Sequence, residues 1–222
     1  MRALRSLRAC CVAAWVGAMA PAHALDESQE AAAFDYYVLA LSWAPTFCAL
    51  HRADRAECGL RRGFVVHGLW PQYAGGGGPE HCGGADALDQ QTVERAKAAM
   101  PDERLIHHEW VVHGTCSGLT PHDYFETLIR SIGRLSIPSE FDGEAAHTMN
   151  ASQIVAAFTK ANPSMSARSL VLRCRGAQLE EVRLCLSRDL HPQACGPDIR
   201  GHCRSGPLTI GTLHSPAAPV PR

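Results

Sequence analysis

Two stretches hold the residues best suited to proton chemistry. FVVHGLWPQY (64–73) carries His67, followed directly by Gly68, with Trp70 and Tyr73 close behind. RLIHHEWVVHGTCSG (104–118) carries His108, Glu109 and His113 and reads as one helix. At about 100° per residue, with His108 at zero, Val112 falls near ~40°, Glu109 near ~100° and His113 near ~140°. These four positions share a face, while Trp110 and Val111 point elsewhere. Glu109 and His113, four residues apart, can orient one another. Two imidazoles, one neutral and one charged, can serve as base and acid in a single reaction. With ordinary imidazole pKa values near ~6.5, that mixed state is most populated at mildly acid to neutral pH. Gly68 would let a ligand approach the backbone closely, and Trp70 and Tyr73 offer flat faces for stacking. Each feature also has a structural reading: a strand histidine in the core, a histidine-rich helix end in solvent, and aromatic side chains that only pack.

Metal chemistry fits less well. A zinc protease site would be HExxH, with histidines four apart on a helix. Here the run is H-E-W-V-V-H, and the position four after His108 is Val112, which cannot bind metal. The remaining histidines fall at no ligand-like spacing, so no metal or cofactor is expected. Neither GxSxG nor a Walker-type loop occurs, and the glycine run 75–78 is not followed by Lys-Ser/Thr. Asn150-Ala151-Ser152 is a glycosylation sequon that matters only in a host that glycosylates.

The elements that must position these residues follow from patterning. FDYYVLALSW (34–43) reads as a buried strand and FVVHGLW (64–70) as a second, stopping at Pro71. Between them lies a loop, 46–62, bounded by cysteines and holding Arg52, Arg55, Arg61 and Arg62. AGGGGPEHCGG (74–84) cannot hold regular structure and is expected to be a mobile loop. Helices are expected over 88–100, over the His/Glu stretch, from Pro121 after a Thr120 cap, and over 151–162. The Pro121 helix presents Tyr124, Phe125, Leu128 and Ile129 as its apolar face. SLVLRC (169–174), LEEVRLCLS (179–187) and PLTIGTL (207–213) read as strands. Strands first, helices in the middle and strands last imply an α+β fold, with an antiparallel β-sheet packed against several helices.

The chain has 222 residues, 21 Lys+Arg and 22 Asp+Glu, for a net charge of −1. Arg2, Arg5 and Arg8, an apolar run to Ala20, and Ala22-His23-Ala24 make residues 1–24 a secretory signal peptide, cleaved after Ala24 and too short to span a membrane. Its removal takes three arginines and no acids, leaving 18 basic residues against 22 acidic ones, about −4. That excludes a globally basic nucleic-acid binder but not a local basic groove. Residues 25–222 show no repeat or composition break and are expected to form one domain, with 214–222 a proline-rich tail without fold signal. Eight cysteines remain, an even number behind an export signal, which implies disulfides; roughly a hundred pairings are open.

The two motifs together resemble the two active-site signatures of the ribonuclease T2 family of secreted acid ribonucleases, roughly F-x-x-H-G-L-W-P and H-E-W-x-K-H-G-T-C. YYVLALSWAPTFC (36–48) resembles that family's first strand, and LVLRC with LEEVRLC its C-terminal strands. The resemblance covers nearly the whole mature chain. It implies a metal-independent endoribonuclease that cleaves single-stranded RNA but not DNA, a secreted or periplasmic location, no membrane attachment after signal cleavage, and action as a monomer. It makes His67 and His113 the proton-transfer pair, Glu109 a stabiliser of the phosphorane-like transition state, His108 a phosphate contact, and Trp70 and Tyr73 base-stacking residues. It also implies disulfides Cys48–Cys58, Cys82–Cys116, Cys174–Cys203 and Cys185–Cys195.

One position departs from the pattern: Val112 stands where the signature has lysine. Losing one preorganised donor to developing charge typically costs about 2.7–4 kcal/mol. Either catalysis is slow or another cation substitutes, with Arg61 and Arg62, just before the His67 strand, as the expected substitutes. Two rival readings follow: a weakly active or inactive RNA-binding relative, and a secreted disulfide-rich recognition domain whose histidines are structural.

Overall fold

The computed structural model describes residues 34–59, 63–84, 86–143 and 145–213. The signal segment, the tail 214–222, Arg61 and Arg62 lie outside the described residues. The described strands are β1 (Tyr36–Trp43), β2 (Phe64–Gln72), β3 (His147–Asn150), β4 (Leu170–Arg175), β5 (Gln178–Ser187) and β6 (Pro207–Ile210). The helices are α1 (Ala44–Leu50), α2 (Arg55–Cys58), α3 (Gln90–Ala96), α4 (Glu103–Val112), α5 (Pro121–Gly133) and α6 (Ala151–Ala161). The sheet runs β2-β1-β5-β6-β3, with β4 also on β5. All pairings are antiparallel except a single parallel bridge between β5 and β6, Gln178 opposite Thr209.

The two faces of the sheet are set by period-two alternation. Leu39, Leu41, Val66, Leu69, Val182 and Leu184 point into the main core, which also takes in Ile106, Trp110, Tyr124, Phe125, Leu128, Ile154 and Phe158. Burying each such side chain contributes roughly 1.5–3 kcal/mol. The other face of β1 and β5 holds a smaller cluster of Tyr36, Val38 and Cys185, with Trp70 packed on it. Caps fix the helix starts. The Asp123 N–H donates to the Thr120 hydroxyl at 3.2 Å ahead of Pro121, and Asn150 and Gln153 form a reciprocal capping box at α6.

Several expectations are corrected. The segment expected as a loop over 46–62 holds helix through Leu50 and a further turn, Arg55–Cys58, capped by Asp54. Strand β2 does not stop at Pro71 but runs through it to Gln72. It is an end strand of the sheet, where proline's missing N–H costs no ladder bond. Strand β3 went unread, its four residues being too few to show a period. The stretch carrying His108, Glu109 and His113 is helical only from Glu103 to Val112. His113 caps it, and a 3-10 turn over Gly114–Ser117 closes on Gly118 at φ +71°.

Four disulfides are formed: Cys48–Cys58, Cys82–Cys116, Cys174–Cys203 and Cys185–Cys195. Residues 74–84 hold no helix or strand, but they are anchored. Cys82 bonds Cys116 just beyond α4, the His81 N–H donates to the Val112 carbonyl at 2.8 Å, and the Gly77 N–H donates to Asp198 at 2.7 Å.

Candidate active site

His67 occupies a β-bulge. Opposite β2, Ala40 pairs Gly68 while Leu41 pairs Val66, so the ladder skips His67. A bulge places one extra residue on a strand and re-aims its side chain. Residues 67 and 70 would otherwise fall on opposite faces, being three apart. With the bulge, Phe64, His67 and Trp70 are the partly exposed positions of β2. His67 meets Trp70 edge-on, with ring centroids 5.3 Å apart.

The same face continues across the sheet. Ala40 pairs both Gly68 and Arg183, and Ser42 pairs Glu181. Paired residues point the same way, so small side chains on β1 and β2 form a floor that Glu181 and Arg183 of β5 overhang. Glu181 Oε2 accepts from His67 Nδ1 at 2.8 Å, and its Oε1 accepts from Arg183 Nε at 2.5 Å. Arg183 lies over the Trp70 ring, with Cζ 4.9 Å from the centroid. Neither residue was singled out from sequence. The one available signal was E-x-R at period two inside the otherwise apolar strand LEEVRLCLS, where a buried carboxylate needs a partner.

Helix α4 and the turn after it supply the rest. Glu109 is 1% exposed, and its Oε2 accepts from Trp70 Nε1 at 2.7 Å. Gly68 is required here: a Cβ would run into the Glu109 carboxylate and the Trp70 nitrogen. Gly114 has a parallel role, since a Cβ there would strike the Trp110 ring. The His113 ring lies 5.4 Å from that of Trp70, tilted by 39°, and its Nδ1 is buried without a hydrogen-bond partner. The face drawn on the helical wheel is therefore divided. Glu109 and Val112 are buried, His113 is half-buried at the helix end, and His108 is exposed. His108 is still near enough for its charge to act on His113. Tyr73 is 40% exposed and makes no ring contact with Trp70 or the histidines among the described residues.

These surroundings separate the two imidazoles. Burial pushes His67 down, but the hydrogen bond and charge of Glu181, with Glu109 behind, more than reverse this and hold its pKa above the ordinary value. Burial pushes His113 down to about 4, helped by the nearby charges of His108, His67 and His81. Burial also pushes the Glu109 carboxyl up to about 7, against the opposing pull of His67 and the Trp70 hydrogen bond. Glu181 is held below the ordinary range: burial opposes ionisation, but His67 and Arg183 outweigh it. An acid–base pair with its pKa values driven apart is what a proton relay requires. Beside His67 opens a cleft of about 390 Å³ whose lining includes Glu57, Arg173, Glu181 and Arg183. Among the described residues, no group of three or more His, Cys, Asp or Glu converges to hold a metal ion.

The model of the ribonuclease T2 family matches residues 34–195. A ribonuclease of Aeromonas hydrophila is 46% identical over 103 residues, spanning 46% of this chain and 47% of the relative. This chain thus spans about half the length of that relative. Ribonuclease DdI of Dictyostelium discoideum is 26% identical over 193 residues, spanning 81% of this chain and 86% of the relative. Among solved structures, an RNase-related protein from Calystegia sepium superposes with a TM-score of 0.68 at 23% identity, covering 82% of this chain and 98% of the other. At that identity the likeness speaks for the fold alone.

Proposed function

The chain belongs to the ribonuclease T2 family, and from that premise we propose that it is a metal-independent endoribonuclease acting on single-stranded RNA. The observation that carries the reading is the placement of His67 and His113 against one indole, the first paired with Glu181 and the second without a partner at Nδ1.

RNA contains its own nucleophile. His113, neutral above about 4, takes the proton of the 2′-OH, and the 2′-oxygen attacks phosphorus. His67, protonated through its Glu181 pairing, gives its proton to the departing 5′-oxygen. The products are a 2′,3′-cyclic phosphate and a 5′-hydroxyl end. In the reverse sense the pair then activates water to open the ring to a 3′-phosphate. Glu109 and His108 border the phosphate, and Trp70 and Tyr73 serve the base. Arg183 already covers part of the Trp70 ring, so a stacked base shares that indole with a guanidinium. DNA lacks the 2′-OH and is inert. Export by the 1–24 segment would deliver the enzyme as a secreted or periplasmic monomer. Among the described residues no helix is long and apolar enough to cross a membrane.

The test is cleavage of single-stranded RNA at pH 5–7 in the presence of a chelator, by wild type, His67→Ala and His113→Ala. Wild-type activity lost in both variants is expected; cleavage that persists in both would overturn the mechanism. A second reading, a weakly active RNA-binding relative, is favoured by the burial of Val112 at the signature's lysine position. RNA binding without cleavage by wild type would select it.

A further inference from the structure

The lysine absent at position 112 leaves the site without a cation from α4. The arginines expected to substitute, Arg61 and Arg62, lie outside the described residues, but the described ones offer another. We propose that Arg183 of β5 is the cation that meets the scissile phosphate, and that Glu181 is the positioning residue that aims both Arg183 and His67. This inference rests on the ribonuclease reading and extends it by two residues.

The geometry carries it in three steps. First, Arg183 is committed only through Nε, which donates to Glu181 Oε1 at 2.5 Å. Its terminal nitrogens have no hydrogen-bond partner among the described residues, so a two-pronged donor remains free. A planar guanidinium matches two phosphate oxygens with parallel bonds. Second, its place is fixed. The guanidinium rests over Trp70, the ring against which both His67 and His113 lie. A phosphate held between the two imidazoles is therefore within reach of Arg183. Its β1 neighbour on that face is Ala40, and beyond it Gly68, over which the Trp70 indole and the Glu109 carboxylate lie. Third, several basic groups gather on one carboxylate. Glu181 is the one strongly ionised carboxylate in contact with His67, and it is shared among His67, Arg183 and, at 3.9 Å, Arg173. Arg175 lines the same cleft, with its Nε on Glu180 at 2.9 Å and no contact to Glu181 among the described residues. Glu109 and Glu57, the other acids whose charges interact with His67, are both driven towards their neutral forms by burial.

Glu181 serves both ends of this arrangement. By accepting from Nδ1 it fixes the His67 ring and leaves Nε2 as the nitrogen available for proton exchange. By accepting from Arg183 Nε it holds the guanidinium over the indole. The site thus takes its cation from the sheet, where the family signature takes it from the helix.

The experiment combines rescue with a binding measurement that needs no turnover. Arg183→Ala should lower kcat on single-stranded RNA by about 10²–10³-fold, and Arg183→Lys should recover most of it. Val112→Lys should raise the rate of Arg183→Ala at least tenfold and that of wild type far less, because one cation is already in place. Inorganic phosphate, followed through the histidine proton resonances, should shift His67 and His113 in wild type and much less in Arg183→Ala. Glu181→Gln should move the alkaline limb of the pH–rate profile to lower pH, whereas a merely structural residue would scale the rate equally at every pH. Equal gains from Val112→Lys in both backgrounds, or unchanged phosphate binding in folded Arg183→Ala and Arg183→Lys, would overturn the proposal. If wild type does not cleave RNA, the ribonuclease reading fails, and phosphate binding still decides the role of Arg183.

Discussion

Replacing Glu109 by glutamine should make the protein more stable at alkaline pH and leave it unchanged in acid. The carboxyl is 1% exposed and, among the described residues, receives one hydrogen bond, from Trp70 Nε1. Burial lifts it from 4.5 to about 7, a displacement equivalent to about 3 kcal/mol. The sign follows from proton counting. Between about 4.5 and 7 the folded protein retains a proton that the unfolded chain has released. Stability contributed by the neutral form is therefore lost as pH rises through that window, and the full penalty is present above it. Glutamine keeps an oxygen for the Trp70 N–H and carries no charge. At pH 8 the variant should gain up to about 3 kcal/mol, or about 6–12 °C in Tm for a domain of this size, and the gain should vanish near pH 4. Calorimetric unfolding at intervals from pH 4 to 8 measures it directly. A Tm difference that is constant with pH, or a variant less stable than wild type at pH 8, would refute the claim that Glu109 is a strained buried acid.

The pH dependence of kcat/KM on RNA should show a broad plateau. Its acid limb should lie near the His113 value of about 4 and its alkaline limb above the ordinary histidine value, because His67 is raised; a narrow peak centred near ~6.5 would show that the two imidazoles are not separated. Glu57 is 4% exposed, its Oε1 has no partner, and burial lifts it to about 7. Glu57→Gln should therefore also give a stability gain that appears only as pH rises past about 4.5, read by the same unfolding series. Gly68→Ala should cost about 1–3 kcal/mol in denaturant unfolding by displacing the Trp70–Glu109 hydrogen bond, and an unaffected midpoint would mean that the strand shifts freely. Replacing Cys82 and Cys116 together by serine should cost about 2–4 kcal/mol and open residues 74–84 to limited proteolysis, while an unchanged cleavage pattern would show that the loop's hydrogen bonds suffice.

What could be read from the chain was whatever depends on neighbours in sequence. The two-faced apolar run of β1, the Thr120-Pro121 helix start and the paired motifs around His67 and His113 are local patterns, and each led to the right element. What escaped depends on residues distant in sequence. His67 and Glu181 are 114 positions apart, and no local pattern joins them. Arg61 and Arg62 suggest themselves as a replacement cation because they precede the His67 strand in sequence, whereas Arg183 lies 116 positions from His67 and comes beside it only through the pairing of β5 with β1. The helical wheel placed His108, Glu109, Val112 and His113 on one face, but it has no information on where a helix ends. With Gly114 next and the cap at His113, the helix stops at Val112. Burial then separates Glu109 from His108 although they adjoin in sequence.

The bulge at His67 separates two demands that usually compete. Every ladder contact between β1 and β2 is made by some other residue: Val66 and Gly68 already pair with consecutive positions, Leu41 and Ala40. The chain could lose His67 and leave a regular antiparallel pair whose core register, from Leu69 with Leu39 onward, is untouched. The ladder thus places no demand on the residue at 67, whose identity is set by the site and not by the strands that carry it. Conversely, an insertion or deletion between Gly68 and Trp70 would turn Trp70 to the wrong side of the sheet, so spacing there is under a stricter constraint than residue identity in the strands around it.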